Sequence, residues 1–200
     1  MRNATATKER ILEAALAEFS AHGIAGARVD RIAQAARCNK NLIYIYFTDK
    51  ETLFTTVLQK HLVRIHDEQP FTPDDLPGYA AKVFDWAQAN PDLMRLLAWS
   101  ALEQQAKGQA ERGEALSAKV AALAEAQSAG RVGTAFPPDF LLIAVMSLAT
   151  AWSVASPFGQ SLNLRAAERP AALREGLIEA VRLLASAGKG KRTQGRNKER

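Results

Sequence analysis

The chain has 200 residues, 26 Lys+Arg against 21 Asp+Glu, a formal net charge of +5, 48% apolar and 24% charged residues, which suits one domain or two small ones and excludes wholesale disorder. A single cysteine excludes an intramolecular disulfide framework and a cysteine-rich zinc site. No apolar run reaches the roughly 18–20 residues of a spanning helix, and no signal-peptide pattern opens the chain, so a soluble, cytoplasmic protein without membrane association is expected.

The charge is uneven. Residues 1–50 carry +3, residues 51–187 carry −3 and residues 188–200 carry +5. Positive ends around a mildly acidic body suggest a polyanion contact made by one part of the molecule. Charge alone is equally compatible with plain solubility.

About a fifth of the residues are alanine, a strong helix former, and apolar positions recur with helical rather than strand period. The expected fold class is therefore all-α with about nine helices. Thr7 is placed as cap of a first helix with Ile11, Leu12, Ala15, Leu16 and Phe19 on its apolar stripe, ended by Gly23. A short second helix carries Val29, Ile32, Ala33 and Ala36. After the polar break Cys38-Asn39-Lys40-Asn41, Asn39 caps a third short helix, Lys40 to about Phe47. Asp49 caps a fourth, with Leu53, Phe54, Val57, Leu58, His61, Leu62 and Ile65 on its stripe.

Pro70, Pro73 and Pro77 mark a boundary. A fifth helix is expected over Tyr79–Ala89. Asn90 as cap and Pro91 at the first helical position open a sixth, with Leu93, Met94, Leu96, Leu97 and Leu102. A seventh runs from about Glu111 to Ala129, aligning Leu116, Val120 and Leu123, and ends at Gly130. Pro137-Pro138-Asp139 opens an eighth over Phe140–Ala155, apolar almost all round. It is too short to span a bilayer and needs cover on every face, from its own subunit or a partner. A ninth helix, about Ala167–Ala187, aligns Leu173, Leu177, Val181 and Leu184; residues 188–200 lack apolar content and are expected to be disordered.

Residues 28–47 are two short helices joined by a tight turn, the geometry that places a second helix in the major groove. In KNLIYIYF, Ile43 and Phe47 point inward; Lys40, Asn41, Leu42 and Ile45 lie towards the exposed side, flanked by Tyr44 and Tyr46. Asparagine pairs with adenine, lysine reaches guanine acceptors or phosphate, and aliphatic side chains suit thymine methyls. Tyrosine hydroxyls and Lys50 suit phosphate oxygens.

The stretch from Thr7 to about Leu62 resembles the DNA-binding domain of the tetracycline-repressor (TetR) family. The matching residues are KERILEAALAEFSAHG, VDRIAQAA and NLIYIYF followed by DKETLF. The resemblance implies a helix-turn-helix domain of three helices over residues 1–68. It also implies an effector-binding and dimerisation domain over 69–187, and a two-fold dimer through helices at about 139–156 and 167–187. Carried over, it makes Lys40, Asn41, Leu42 and Ile45 base-facing and Tyr44, Tyr46 and Lys50 phosphate contacts. Two departures stand out. Arg28 replaces the usual threonine or serine that opens helix two; it cannot cap, but it can reach phosphate or the groove. The turn reads Arg37-Cys38-Asn39 instead of glycine-valine-serine, which places a side chain where a left-handed backbone costs about 1 kcal/mol.

Other sites are weaker. Cys38 reads as a packing residue before a redox switch. His61 and His66 are five apart, about 140° on an ideal helix, and make a poor metal pair; His22 sits near a helix end. No catalytic constellation, metal set or cofactor motif is present in the sequence. Trp86, Met94, Trp99, Leu102, Glu103 and Trp152 are candidates for lining a cavity for an apolar or aromatic effector. The expectation is a homodimeric regulator, a ligand-released repressor on a palindromic double-stranded operator, and not an enzyme. The alternative is a helical small-molecule-binding protein or enzyme without sequence-specific DNA binding. A further rival is a non-specific nucleic-acid binder driven by the basic ends.

Overall fold

The computed structural model describes residues 2–68, 70–102, 109–158 and 170–189, with side chains described throughout these except at 2–3, 62–68 and 109–112. Within them lie nine α-helices and no strand. The helices are α1 (Arg2–Gly26), α2 (Val29–Ala35), α3 (Lys40–Phe47), α4 (Lys50–Glu68), α5 (Leu76–Ala89), α6 (Pro91–Leu102), α7 (Gln109–Ser128), α8 (Pro138–Thr150) and α9 (Pro170–Ser186). A 3-10 turn, Pro73–Asp75, precedes α5. Glu103, the expected start of the ninth helix at 167–169 and the tail from 190 onward lie outside the described residues, as do the side chains of Leu62, Ile65 and His66.

Several helix ends differ from the periodicity reading. α1 starts at Arg2, and Thr7 lies buried inside it, its hydroxyl accepting from Arg10 Nη2 at 3.1 Å. Gly23 does break the helix, at φ 65° and ψ −178°, but one more turn follows to Gly26. α5 begins at Leu76, a turn's length before Tyr79, because the Asp75 carboxylate accepts from the Gly78 amide at 2.9 Å. Asn90 precedes α6 as expected, yet its side chain turns back and donates to Trp86 O at 2.8 Å. It closes α5 rather than capping α6. α8 stops at Thr150, short of Ala155, and Ala151, Ser153 and Ser156 form successive turns. Ser153 and Val154 are poor helix formers, and Pro157 turns Ser156 away from helix.

Two apolar clusters form the core. The first joins Ile11, Ala15 and Phe19 of α1, Ile32 of α2, Ile43 and Phe47 of α3, Leu53, Phe54 and Val57 of α4, and Leu93 and Leu96 of α6. Phe19 and Phe54 meet edge to face at 5.2 Å, a favourable aromatic geometry. The second joins Leu76, Tyr79, Val83 and Phe84 of α5, Leu123 of α7, Leu141, Leu142 and Val145 of α8, and Leu177 and Val181 of α9. Thus α6, which follows the proline-marked boundary in sequence, packs into the first cluster. The Trp99 indole also donates to Ser20 O at 3.2 Å, tying α6 to α1.

α8 is covered on one side only. Leu141, Leu142, Val145 and Ala149 are buried, whereas Phe140 and Ile143 are 53% and 65% exposed. Leu183 of α9 is also exposed. No helix among the described residues is long and apolar enough to cross a membrane.

Candidate nucleic-acid interface

The site is built by the joints that hold α2 and α3. Arg28 occupies the cap position of α2 with extended backbone (φ −120°, ψ 122°) and makes no side-chain cap. Glu18, from α1, does that work instead. Its Oε1 accepts from the Arg28 amide at 2.8 Å and from Arg31 Nε at 2.8 Å. Burial alone would raise the Glu18 carboxyl pKa, but hydrogen bonds from the Arg31 side chain and the Arg28 amide outweigh it and hold the group below 4.5. An anion at the start of α2 also suits the positive end of the helix. The Arg28 side chain is left exposed and without a partner among the described residues.

The turn between α2 and α3 is held at both ends. Arg10 Nε donates to Ala36 O at 3.2 Å, and the Cys38 amide donates to Ala33 O at 3.0 Å. Arg37 has φ 52°, the left-handed conformation that the missing glycine leads one to expect. Asn39 then caps α3, its Oδ1 accepting from the Asn41 amide at 2.8 Å. Asp49 caps α4 in the same way, accepting from the Thr52 amide at 2.6 Å. Burial pushes the Cys38 thiol pKa up, against the pull of Arg10, so Cys38 is a poor nucleophile at neutral pH.

With α3 fixed, its faces separate as expected. Ile43 and Phe47 are buried at 1% and 2% exposure, while Ile45 is 75% and Tyr44 42% exposed. Asn41 is exposed and Leu42 half-buried. Tyr46 is half-buried and packs edge to face on Phe47 at 6.2 Å, so its ring belongs partly to the core. Lys40 Nζ binds Asp30 of α2, 2.9 Å from Oδ1 and 3.0 Å from Oδ2. Lys50 Nζ donates to Ala27 O at 3.3 Å, which places its ammonium beside the start of α2. The structure therefore gathers Arg28, Lys40, Asn41, Leu42, Tyr44, Ile45, Tyr46 and Lys50 on and around one exposed short helix.

The residues named for an effector cavity are not gathered in this way. A groove of about 190 Å³ lies where α1, α4, α5 and α6 meet, lined by Leu16, His61, Trp86, Ala89, Asn90, Pro91, Asp92 and Leu93. Of the five named residues that are described, only Trp86 lines it. Met94 is buried, Trp99 is bonded to Ser20 O, and Leu102 is 75% exposed. Trp152 packs on the second cluster, and its carbonyl accepts from Gln88 Nε2 at 3.2 Å. Among the described residues no group of three His, Cys, Asp or Glu could hold a metal ion. Glu18 and Asp30 are the working residues that sequence reasoning missed. The one signal for Glu18 is the uncapped Arg28 itself, which demands an acceptor from elsewhere.

Comparison with known proteins bears on the whole chain. Residues 11–57 match the family model described as bacterial regulatory proteins, tetR family, and residues 75–182 match the tetracyclin repressor-like C-terminal domain. The HTH-type transcriptional repressor SCO4008 of Streptomyces coelicolor is 43% identical over 159 residues, 78% of this chain and 82% of that protein. The HTH-type transcriptional regulator RutR of Escherichia coli is 41% identical over 84 residues, 42% of this chain and 40% of its own. The crystal structure of the transcriptional regulator SCO4942 from Streptomyces coelicolor superposes with a TM-score of 0.76 at 38% identity, covering 88% of this chain and 96% of that one. Members of this family bind DNA operators, dimerise and bind small-molecule effectors. Helix-turn-helix geometry, exposed α3 and matches along both halves of the chain agree: this protein belongs to the tetracycline-repressor family of DNA-binding transcriptional regulators.

Proposed function

We propose that the protein is a ligand-released repressor that acts in the cytoplasm, has no enzymatic role and binds a roughly palindromic operator as a two-fold dimer. The observation that carries this reading is α3. It is a short helix pinned by Asn39 and by buried Ile43 and Phe47, and it presents Tyr44 and Ile45 to solvent. An exposed isoleucine and tyrosine at that place gain nothing from water and fit base edges and sugars in a major groove. Asn41 and Leu42 share the base-facing role with Lys40 and Ile45. Arg28, Tyr44, Tyr46 and Lys50 reach phosphates and fix the register.

Residues 1–68 form the reading head and 69–187 the body. The dimer forms through α8 and α9, whose exposed Phe140, Ile143 and Leu183 supply a self-complementary apolar face. That partner covers the face of α8 that its own subunit leaves exposed. An apolar or aromatic effector enters at the groove beside Trp86, between head and body. It releases DNA by binding the state in which the two α3 helices have the wrong spacing more tightly than the DNA-bound state. The name of the 43% identical relative, a repressor, supports repression over activation.

The test is fluorescence anisotropy at physiological salt, with the duplex upstream of the protein's own gene against a scrambled duplex. Wild type is expected to bind the native duplex about a thousandfold more tightly, and Tyr44→Ala to abolish the difference. Equal binding to genomic fragments and scrambled DNA, in a genome-wide selection, would sink the reading.

A further inference from the structure

Asp30 is out of place on a surface that meets phosphates. Its side chain is 73% exposed on α2, where a lone carboxylate would repel the duplex. It is not alone, since both its oxygens hold the Lys40 ammonium at 2.9 and 3.0 Å. Lys40 is the first residue of α3, and the N-terminal residues of a recognition helix are those that reach base edges.

A lysine at that position has two handicaps. The positive end of the helix opposes it. Its four-carbon stem also lets the ammonium go to whichever acceptor is nearest, and in a groove those are the charged phosphates. Asp30 answers both. It sets a negative charge against the ammonium and fixes where that ammonium sits. An ammonium has three donors. The carboxylate takes one or two, so at least one stays free for an acceptor such as guanine O6 or N7. The pair is neutral as a unit, so phosphate gains little from it. The hydrogen bond from Lys40 to Asp30 also raises the Lys40 pKa.

We propose that Asp30 is a positioning residue for sequence readout, holding the Lys40 ammonium as a base-reading donor and keeping it off the phosphates. This rests on α3 entering the major groove. Both readings are tested together with the full-length protein, an operator duplex recovered by selection and a scrambled duplex, titrated across a salt series. Four proteins are compared: wild type, Asp30→Asn, Lys40→Met and the double variant.

Asp30→Asn is expected to bind the scrambled duplex more tightly, with a log K against log salt slope steeper by about 0.9 per subunit. Its operator-to-scrambled ratio should fall about tenfold. In the Lys40→Met background the same change should leave that ratio where it is. A ratio unchanged by Asp30→Asn overturns the proposal. So does an equal fall in the Lys40→Met background, because Asp30 would then act as bulk charge. Failure of the groove reading shows separately, as a wild type that does not distinguish the two duplexes.

Discussion

In the reading head, polar side chains finish the helix ends. Asn39 caps α3, Asp49 caps α4, Glu18 stands in for the missing cap of α2, and Arg10 holds the carbonyl of Ala36. In the body the polar ties between elements are mostly exposed pairs, Arg174 to Asp85 and Arg131 to Asp74, with Lys119 donating to the Tyr79 hydroxyl. They are laid over the apolar cluster that α5, α7, α8 and α9 share. There α8 opens on Pro137 without a side-chain cap. A hydrogen bond tolerates a few tenths of an ångström before it weakens, whereas apolar packing has no direction and admits sliding. A groove is a fixed template, so the helix that enters it is fixed from several sides. A body that answers to an effector needs two arrangements, and apolar joints allow them.

The largest effects should come from breaking each region at its own kind of contact. Ile143→Asp puts a charge on the exposed face of α8, where Ile143 is 65% exposed, so the fold should stand. Light scattering should show monomers in place of dimers, and operator affinity should fall at least a hundredfold as two half-sites become one. A dimer that survives unchanged would remove α8 from the interface.

Phe47→Ala and Phe84→Ala sharpen the contrast. Both rings are 2% exposed, one in each cluster, and each truncation should cost about 3–5 kcal/mol in urea unfolding. Under conditions where both variants remain folded, Phe47→Ala should lose operator discrimination because α3 loses its anchor. Phe84→Ala should keep it. Equal losses of discrimination would mean that the head is no more tightly specified than the body.

The same difference decides what the sequence revealed. Ile43 and Phe47 inward, Ile45 outward and Asn39 as cap were all readable, because groove chemistry demands particular side chains at helical spacing. The helices of the described residues and most of their apolar stripes were readable from period alone. The cavity was not: Met94 and Trp99 are apolar residues on an apolar helix, Trp152 lies in the turns after α8, and a lining looks like a core. Thr7 misled because a threonine before an apolar stripe reads as a cap even when the helix already runs through it. Glu18 and Asp30 act across ten residues of chain, and no local pattern carries such a pairing.

Glu18 offers a smaller and more selective lesion. Glu18→Gln keeps the shape but weakens the charge-assisted bonds to Arg28 and Arg31, at a cost of about 1–2 kcal/mol at neutral pH. The folded-state pKa of Glu18 is depressed below 4.5. Its contribution is therefore present in full above the unfolded value and fades as pH falls through the lower, folded value. Wild type should lose this increment on acidification below about pH 4.5, while Glu18→Gln should lack it. Thermal melts of both proteins from pH 6 to about pH 3 measure the gap. A gap that stays constant across that range would mean that the carboxylate charge is not what holds α2.

Arg37→Gly should give the smallest effect, and one of opposite sign. Arg37 holds φ 52° in the turn, where a side chain costs about 1 kcal/mol and glycine costs almost nothing. Glycine also leaves the unfolded chain more conformational freedom, which trims the gain. The variant should therefore unfold at slightly higher urea, by up to about 1 kcal/mol. Its binding should move the other way. The guanidinium is exposed beside the cap of α3 and has no partner among the described residues, which suits a phosphate contact. Its removal should make the salt slope shallower by about 0.9 per subunit and leave the operator-to-scrambled ratio alone. Greater stability with weaker, equally selective binding would show that the turn departs from glycine for the sake of the charge. Greater stability with unchanged binding would show that the strain serves no contact with DNA.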